Sequence, residues 1–351
     1  MIEDELRAAF ARHETLAPEA APVRVAIDRT ALRRRRRRFR LRLGGTALAL
    51  IVAALVGVPA FTPDRPPTVP LLSESVPPEP TGALNVLLLG LDAARPADAR
   101  RADSILLLHV PADRSRPYLV SLPRDLVTSI PGHGKDKLNM SFFYGLGTGR
   151  ADLTSGYDLT RRVVSELTGV RIDAGAVLTY RAVRELTDAV GGVPVCLPSR
   201  VQSHHTRRVY PAGCQQLDGV AAADLLRQRY GLPEGGLDRD RNAQRYAAGL
   251  LRRVGERGML TNPALLSQLL ARLGPDMVAD TGGTSLLALL SAAAQGVGRA
   301  PVALELPVRY IDKAPYLELD PRLAPGFLTA LRDDRLRAWT AAHPDRLTKL
   351  G

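Results

Sequence analysis

A stretch of nineteen residues without a charged side chain, LGGTALALIVAALVGVPAF, runs from Leu43 to Phe61. At 1.5 Å per residue, a helix of this length is about 28 Å long, close to the thickness of the hydrocarbon core of a bilayer. Six consecutive arginines, Arg33 to Arg38, precede it, and such flanks stay in the cytoplasm. We therefore predict a transmembrane helix at 43–61 in a single-pass protein of the cell membrane. Residues 1–42 then form a cytoplasmic tail, and the C-terminal part of the chain is extracellular.

The basic residues are concentrated in this tail. The chain carries 48 Lys and Arg against 36 Asp and Glu, a net charge of +12, and residues 1–42 hold twelve Arg against six acids, or +6 of that excess. Such a run binds nucleic acid or anionic lipid headgroups. Because an uncharged segment of spanning length follows directly, we expect membrane lipid and no nucleic acid as the partner. A cleaved signal peptide and a buried helix are the alternatives, but 42 residues is very long for the region before a signal peptide's apolar core.

Beyond the apolar segment, seven prolines fall between residues 62 and 82, which indicates an extended extracellular spacer. A globular domain is expected at 83–345. Cys196 and Cys214 both lie in this domain, on the predicted outer side of the membrane. An oxidising compartment favours one disulfide between them, and two unpaired thiols are the alternative.

The outer domain alternates apolar strands with helices. Continuous apolar runs at 84–91, 104–110 and 118–122 are typical of strands buried on both faces. Further strands are predicted at 176–179, 193–196 and 302–308, and helices at 157–168, 181–190, 218–229, 238–254, 263–273, 284–296 and 323–341. Interleaved strands and helices indicate an α/β or mixed three-layer domain.

Polar side chains cluster where the apolar runs end. They are Asp92, Arg101, Asp103, Arg124 and Asp125, followed by Asp136, Lys137 and Asn139 and by the arginine pairs at 227/229 and 239/241. In open α/β sheets, ligands bind at strand ends. Arginine forks match phosphate oxygens and carboxylates hold hard divalent ions, so the combination suits a pyrophosphate with Mg²⁺. The alternative is a set of salt bridges that holds the domain together.

Five motifs carry a resemblance to a known family. The segments GLDAARPADARRADSILLLHV, VSLPRD, DKLNMSFFYG, VGGVPVCLPSR and YPAGCQQLDGVAAADLLRQRYGLPEGGLDRDRNAQRY resemble, in this order, the LytR-CpsA-Psr family of cell-envelope proteins in its actinobacterial form. The resemblance covers about residues 82–255. It implies a three-layer αβα domain with a central mixed sheet and an apolar tunnel for lipid. The implied activity is a phosphotransferase that uses Mg²⁺ to move a glycopolymer, such as teichoic acid, from a polyprenyl-pyrophosphate carrier to peptidoglycan during cell wall assembly.

The resemblance also implies roles for individual residues. Asp92 and Asp103 correspond to the carboxylates that hold the metal. The implied pyrophosphate contacts are Arg101, Arg124, Arg227, Arg229, Arg239 and Gln244. The implied catalytic residues are Asp92, Asp103, Arg124 and Asp125, with the general base among the three aspartates. One position departs from the family, because Ala243 stands where a glutamine is usual, and the neighbouring Gln244 or Arg245 is expected to compensate.

Two other functions stay open at this point. One is a non-catalytic surface module that binds the polyprenyl-pyrophosphate carrier or an anionic wall polymer. The other is a regulator of the transcription-attenuator type, which would have to use the arginine-rich tail on DNA, although the tail has no helix-turn-helix pattern. Hydrolysis of the carrier pyrophosphate is an expected side reaction of the transferase when water replaces the sugar acceptor.

Overall fold

The computed structural model describes residues 82–91, 93, 101–147, 153–258, 262, 269, 272–282, 300–311 and 316–350. Every described residue lies in one compact unit, Ser75–Gly351. The predicted tail, the predicted transmembrane segment, residues 62–81 of the spacer and Asp92 lie outside the described residues. Within the described ranges, no helix combines the length and the apolar character needed to cross a bilayer.

A mixed β-sheet forms the centre of the domain. The described strands, in chain order, are β1 (Leu84–Leu91), β2 (Ala102–Val110), β3 (Tyr118–Ser121), β4 (Val127–Ile130), β5 (Gly134–Lys137), β6 (Ala174–Leu178), β7 (Val193–Leu197), β8 (Val201–Gln202), β9 (Val209–Tyr210), β10 (Gly213–Leu217), β11 (Met277–Asp280), β12 (Val302–Glu305), β13 (Val308–Tyr310), β14 (Leu317–Leu319) and β15 (Leu347–Thr348). Seven of them form the central sheet in the order β11-β6-β1-β2-β3-β12-β15. The β1–β6 and β3–β12 pairs are parallel and the other neighbours are antiparallel. Through β15 the sheet extends past residue 345.

Helices cover both faces of this sheet. The described part of the chain contains α1 (Met140–Leu146), α2 (Leu153–Thr168), α3 (Tyr180–Ala189), α4 (Gly219–Leu225), α5 (Gly236–Glu256), α6 (Ala324–Arg332) and α7 (Leu336–Ala342). Leu87 and Leu107 belong to a buried cluster with residues of α1, α2, α6 and α7. Leu106 and Leu108 belong to another cluster, with Ala243 and other residues of α5. Successive side chains of a strand point to opposite faces, so the leucine-rich strands are buried on both sides and the domain has three αβα layers.

Two predicted helices differ from the helices of the structure. The predicted helix at 218–229 is α4 and stops at Leu225, so the residues that follow lie in a loop. The predicted helix at 323–341 is broken into α6 and α7, because Asp334 has a left-handed φ of 55°. Its carboxylate accepts hydrogen bonds from the backbone of Ala112 and from the ring of His109, which ties this break to the end of β2. Most of the predicted helices at 263–273 and 284–296 lie outside the described residues.

A disulfide-linked hairpin lies beside the long helix α5. Cys196 of β7 and Cys214 of β10 are direct partners in the antiparallel register and form the predicted bond, with their Cα atoms 3.8 Å apart. Helix α5 packs against β7 at Gly249, where a Cβ atom would collide with the carbonyl oxygen of Pro194. This close approach holds α5 against the hairpin.

Candidate functional site

Asp103 is displaced from the regular ladder at the start of β2. Gly90 pairs with Ser104 and Leu91 with Ala102, so the register skips Asp103, which is the extra residue of a β-bulge. A bulge re-aims the side chain of the residue that it leaves unpaired. The carboxylate of Asp103 accepts a hydrogen bond from Nη1 of Arg124 at 2.6 Å, and its second oxygen lies 3.6 Å from Nη1 of Arg239. The bulge therefore brings one carboxylate to two guanidinium groups from distant parts of the chain.

Arg124 and Asp125 lie in the loop that follows β3. Nε of Arg124 donates to Asp125 at 3.3 Å, and Nζ of Lys137, at the end of β5, donates to the other oxygen of Asp125 at 2.8 Å. The loop is held in place by a hydrogen bond from the backbone N–H of Asn139 to the carbonyl of Arg124. The antiparallel pairing of β4 with β5 returns Lys137 to Asp125, twelve residues earlier in the chain.

Arg239 and Asp240 are the fourth and fifth residues of α5, near its N-terminus. The guanidinium of Arg239 is only 3% exposed and donates from Nη2 to Asp240 at 2.9 Å. Within the described part of the chain, its Nε is buried and has no acceptor. A buried N–H without an acceptor costs about 1–3 kcal/mol, so an anion beside Arg239 would be stabilised. The positive end of the α5 helix dipole acts in the same direction.

These six residues form one charged cluster, which we define as Asp103, Arg124, Asp125, Lys137, Arg239 and Asp240. Burial opposes the charge on Arg124, but the carboxylates of Asp103 and Asp125 outweigh it and raise its pKa. Burial likewise opposes ionisation of Asp125, yet its hydrogen bond from Lys137 and the charge of Arg124 lower its pKa. Asp240 behaves differently, because burial dominates over Arg239 and raises its pKa to about 6. Three carboxylates face three cations, so the cluster is close to neutral while all six groups are charged.

Two cavities meet at this cluster. The apolar cavity lies between the sheet and helices α3 and α5, encloses about 710 Å³ of space that includes some open solvent, and is lined by leucines of β1, by Tyr180 and by Ala243. Its charged lining residues are Asp103 and Arg239. The polar cavity, of about 820 Å³ on the same measure, is lined by Arg124, Asp125, Arg239, Asp240, Glu234 and Tyr310, among others. Arg239 thus belongs to the walls of both cavities.

The other arginines predicted for the site, Arg101, Arg227 and Arg229, are exposed and lie outside the charged cluster as defined above. Gln228 points inward, where its amide donates to Ser203, and this leaves its exposed neighbours Arg227 and Arg229 pointing outward. The guanidinium of Arg227 stacks over the ring of Tyr180, a residue of the apolar cavity, at 5.1 Å from the ring centre. Arg229 instead folds onto Tyr230 and donates to its hydroxyl. Arg101 is exposed and directly precedes β2.

Gln244 is not brought into the charged cluster. Its amide nitrogen donates to the backbone carbonyls of Leu119 and Leu304, and the side chain is fully buried between α5 and the sheet. Such an arrangement fastens α5 to β3 and β12, and it leaves the amide nitrogen unavailable to a pyrophosphate. Ala243, at the position where the family pattern has glutamine, lines the apolar cavity. Arg245 bonds to Asn242 and to the backbone of Lys349, away from the cluster.

Sequence reasoning did not assign a role to Lys137, Asp240 or Tyr180. Lys137 stood among the polar residues after the third strand, but its pairing with Asp125 depends on the β4–β5 hairpin, which the sequence pattern did not reveal. Asp240 stood between two arginines and gave no periodic signal. Tyr180 begins α3 and reaches the site because its backbone N–H bonds to the carbonyl of Ala93, just after β1.

The sequence matches the family model described as the LytR_cpsA_psr family over residues 64–320. It is similar to the cell wall biosynthesis protein LcpA of Corynebacterium glutamicum, with 34% identity over 235 residues that cover 57% of this chain and 45% of that protein. It is also similar to the polyisoprenyl-teichoic acid–peptidoglycan teichoic acid transferase TagU of Oceanobacillus iheyensis, with 30% identity over 211 residues, 60% of this chain and 62% of TagU. The similar region therefore spans less than two thirds of each of these relatives.

Solved structures with the same fold include those of TagV and TagT. Crystalline TagV of B. subtilis superimposes with a TM-score of 0.59 at 17% identity, over 73% of this chain and 98% of TagV. TagT bound to LI-WTA superimposes with a TM-score of 0.55 at 22% identity, over 72% of this chain and 90% of TagT. At these identities the likeness establishes the fold, an α/β domain with a central mixed sheet.

Proposed function

Because the chain belongs to the LytR-CpsA-Psr family, whose model matches residues 64–320, we propose that it is a membrane-anchored phosphotransferase of cell wall assembly. In this proposal it moves a glycopolymer from a polyprenyl-pyrophosphate carrier to peptidoglycan. The observation that carries the proposal is the position of Arg239 in the walls of both an apolar and a polar cavity. A substrate with a hydrocarbon chain that ends in a diphosphate has the same succession, from apolar to charged.

The apolar cavity suits the carrier lipid. Its lining from β1, β2, α3 and α5 is largely leucine, alanine and tyrosine. Burial of hydrocarbon there releases about 25 cal/mol for each Å² of apolar surface removed from water. The charged groups in its wall, Asp103 and Arg239, mark the point where the lipid would end and the diphosphate begin.

The charged cluster suits the diphosphate. The unsatisfied Nε of Arg239 would gain a phosphate acceptor, and Arg124, which now pairs with two carboxylates, offers a fork of the geometry that phosphate oxygens accept. Arg227, beside Tyr180 at the apolar cavity, is available as a further cation. Since the cluster is close to neutral, a diphosphate would add uncompensated negative charge, which favours a divalent cation as a companion.

The donor set is compatible with Mg²⁺. No group of three metal-ligating side chains occurs among the described residues, but Mg²⁺ typically binds one or two carboxylates together with phosphate oxygens and water. Asp103 is the described carboxylate that would hold the ion, with Asp92, eleven residues earlier, as the second candidate. When bound, Mg²⁺ would neutralise charge on the phosphates.

The proposed reaction is a displacement at phosphorus. A sugar hydroxyl of peptidoglycan forms a bond to the phosphorus nearer the glycopolymer, and the bond from this phosphorus to the bridging oxygen breaks, so that polyprenyl phosphate leaves. Arg124 and Arg239 stabilise the charge that develops on the leaving oxygens. The hydroxyl proton passes to a carboxylate, and Asp125, ionised and in the wall of the polar cavity, is the described candidate for this role.

Transfer in vitro tests the proposal. The full chain in detergent is given a lipid-linked glycopolymer and uncrosslinked peptidoglycan strands, with and without Mg²⁺. We expect Mg²⁺-dependent transfer, and a loss of about 10²–10³ in kcat for Arg124→Ala and for Arg239→Ala, by analogy with the removal of a transition-state hydrogen-bond donor. Arg335→Ala is the matched control, because Arg335 is an exposed arginine paired with Asp333 in the turn between α6 and α7. Binding of the donor without any product would instead favour a non-catalytic module.

A further inference from the structure

An exposed aromatic ring stands in the wall of the polar cavity. Tyr310, the last residue of β13, is 58% exposed, the largest exposure among the described bulky apolar and aromatic side chains that protrude from the surface. It lines the same cavity as Arg124 and Asp125. Partial burial, followed by the negative charges of Glu234 and Asp125, raises the pKa of its phenol. The ring surface itself is left open to the cavity and to solvent.

The hairpin that carries Tyr310 is fixed to the charged cluster. Tyr310 pairs with Leu317 across the β13–β14 hairpin, and the backbone N–H of Leu317 donates to the carbonyl of Asp125 at 3.0 Å. Leu317 also lines the polar cavity and is buried in the main core. The backbone of Tyr310 therefore has a defined place relative to Asp125.

The composition of the cavity wall indicates an uncharged sugar ring as the occupant. The C–H groups on one face of a pyranose carry a slight positive charge and pack on the negative face of an aromatic ring. Glu234 and Asp125 offer acceptors for sugar hydroxyl and amide groups. The charged groups of the lining are two arginines and three acids, Arg124, Arg239, Asp125, Glu234 and Asp240, so the cavity has no excess of positive charge that would attract an anionic polymer.

We propose that the polar cavity is the acceptor subsite, in which a sugar ring of the glycan strand stacks on Tyr310 with its attacking hydroxyl directed to Asp125. This assignment rests on the proposed transferase function and names the place where its acceptor binds. Tyr310 is a specificity residue in this arrangement, since it contacts the acceptor sugar and takes no part in bond making.

The test separates acceptor binding from donor binding. Full-length Tyr310→Ala, Tyr310→Phe and wild type are compared in detergent, with the donor and the peptidoglycan strands varied independently. Loss of one stacked ring corresponds to about a five- to tenfold rise in the KM for the acceptor, while the KM for the donor and kcat stay within about twofold. Tyr310→Phe keeps the ring and stays close to wild type. Phe143→Ala is the matched control, because Phe143 is a 41% exposed aromatic residue of α1 outside the polar cavity.

A second readout needs no donor. Retention of each variant on insoluble peptidoglycan sacculi reports acceptor binding directly, and Tyr310→Ala is expected to be retained about five- to tenfold less. Unchanged acceptor KM and unchanged retention, or a rise in the donor KM instead, would overturn the subsite while wild-type transfer upholds the transferase. Retention that depends on Tyr310 in a wild-type protein that transfers nothing would uphold the subsite and refute the transferase.

Discussion

The loss of stability caused by Arg239→Ala should depend on pH, because Arg239 is paired with the buried carboxyl of Asp240. Replacement of Arg239 by alanine removes the guanidinium that donates to Asp240 at 2.9 Å and leaves a carboxylate that is only 4% exposed. In the intact protein, burial already raises the pKa of Asp240 from 3.8 to about 6, in spite of the attraction of Arg239. Without Arg239 the pKa of Asp240 must rise further, because burial is then opposed by fewer charges.

The magnitude follows from proton linkage. A shift of the Asp240 pKa from 3.8 to about 6 corresponds to about 3 kcal/mol at 1.36 kcal/mol for each unit. Since the pKa of Asp240 is raised in the folded state, the protonated carboxyl adds this free energy to the stability below the unfolded pKa of 3.8, and the contribution is lost as the pH rises through the folded value of about 6. In Arg239→Ala the loss continues above pH 6 at about 1.4 kcal/mol per pH unit, up to the new pKa. We expect a destabilisation of about 1–2 kcal/mol at pH 5 and about 3–5 kcal/mol at pH 8.

Urea unfolding at the two pH values measures this effect. The chain contains one tryptophan, Trp339 in α7, which packs against Phe327 and reports the unfolding of this domain alone. The double variant Arg239→Ala/Asp240→Asn should recover most of the stability at pH 8 but remain inactive in transfer. For Arg335→Ala, the change in the free energy of unfolding relative to wild type should be the same at both pH values. An equal loss for Arg239→Ala at pH 5 and pH 8, or a double variant no more stable than the single one at pH 8, would refute the reasoning.

Three further predictions concern the hairpin, the α5 anchor and the charged cluster. Replacement of both Cys196 and Cys214 by serine should lower the free energy of unfolding by about 3 kcal/mol, because the disulfide that is lost closes a loop of 18 residues. The donor KM in the transfer assay should not change. Gln244→Ala should cost about 1–3 kcal/mol in urea unfolding because two backbone carbonyls lose their donor, again without a change in donor KM; a raised donor KM at full stability would favour a pyrophosphate contact instead. Lys137→Met should raise the depressed pKa of Asp125, so the acid limb of the transfer rate moves to higher pH, and superimposable pH profiles would count against this pairing.

The framework of the fold is legible in the chain because burial leaves a local pattern. The run at 84–91 matches β1 to the residue, since a strand covered on both faces by helices is apolar at most positions. The helix predicted at 181–190 agrees with α3 to within one residue at each end, and the one predicted at 157–168 is α2, which begins four residues earlier, at Leu153. Boundaries set by special backbone conformations, such as the left-handed Asp334 between α6 and α7, leave no periodic trace and were misjudged.

The sequence predicted part of the candidate site, and the position of Gln244 had to come from the structure. Motif order pointed to Asp103, Arg124, Asp125 and Arg239, and the structure gathers these four from β2, the loop after β3 and α5. Gln244 shows the opposite outcome, because a residue one position away on a helix points about 100° away, and this rotation directs it to the sheet and not to the cluster.

The amino-acid sequence by itself determined the kinds of side chain available, the elements with strong periodicity, the family and the prediction of an anchor at 43–61. Only the tertiary structure decided which charges share a cluster, through a bulge at Asp103, and that Arg239 separates an apolar from a polar cavity. It also decided that Tyr310 stands open beside Asp125. The physical reason is that periodicity records the environment of one segment at a time, whereas cavities and ion pairs arise from contacts between separate segments, such as those of Asp103 and Arg239.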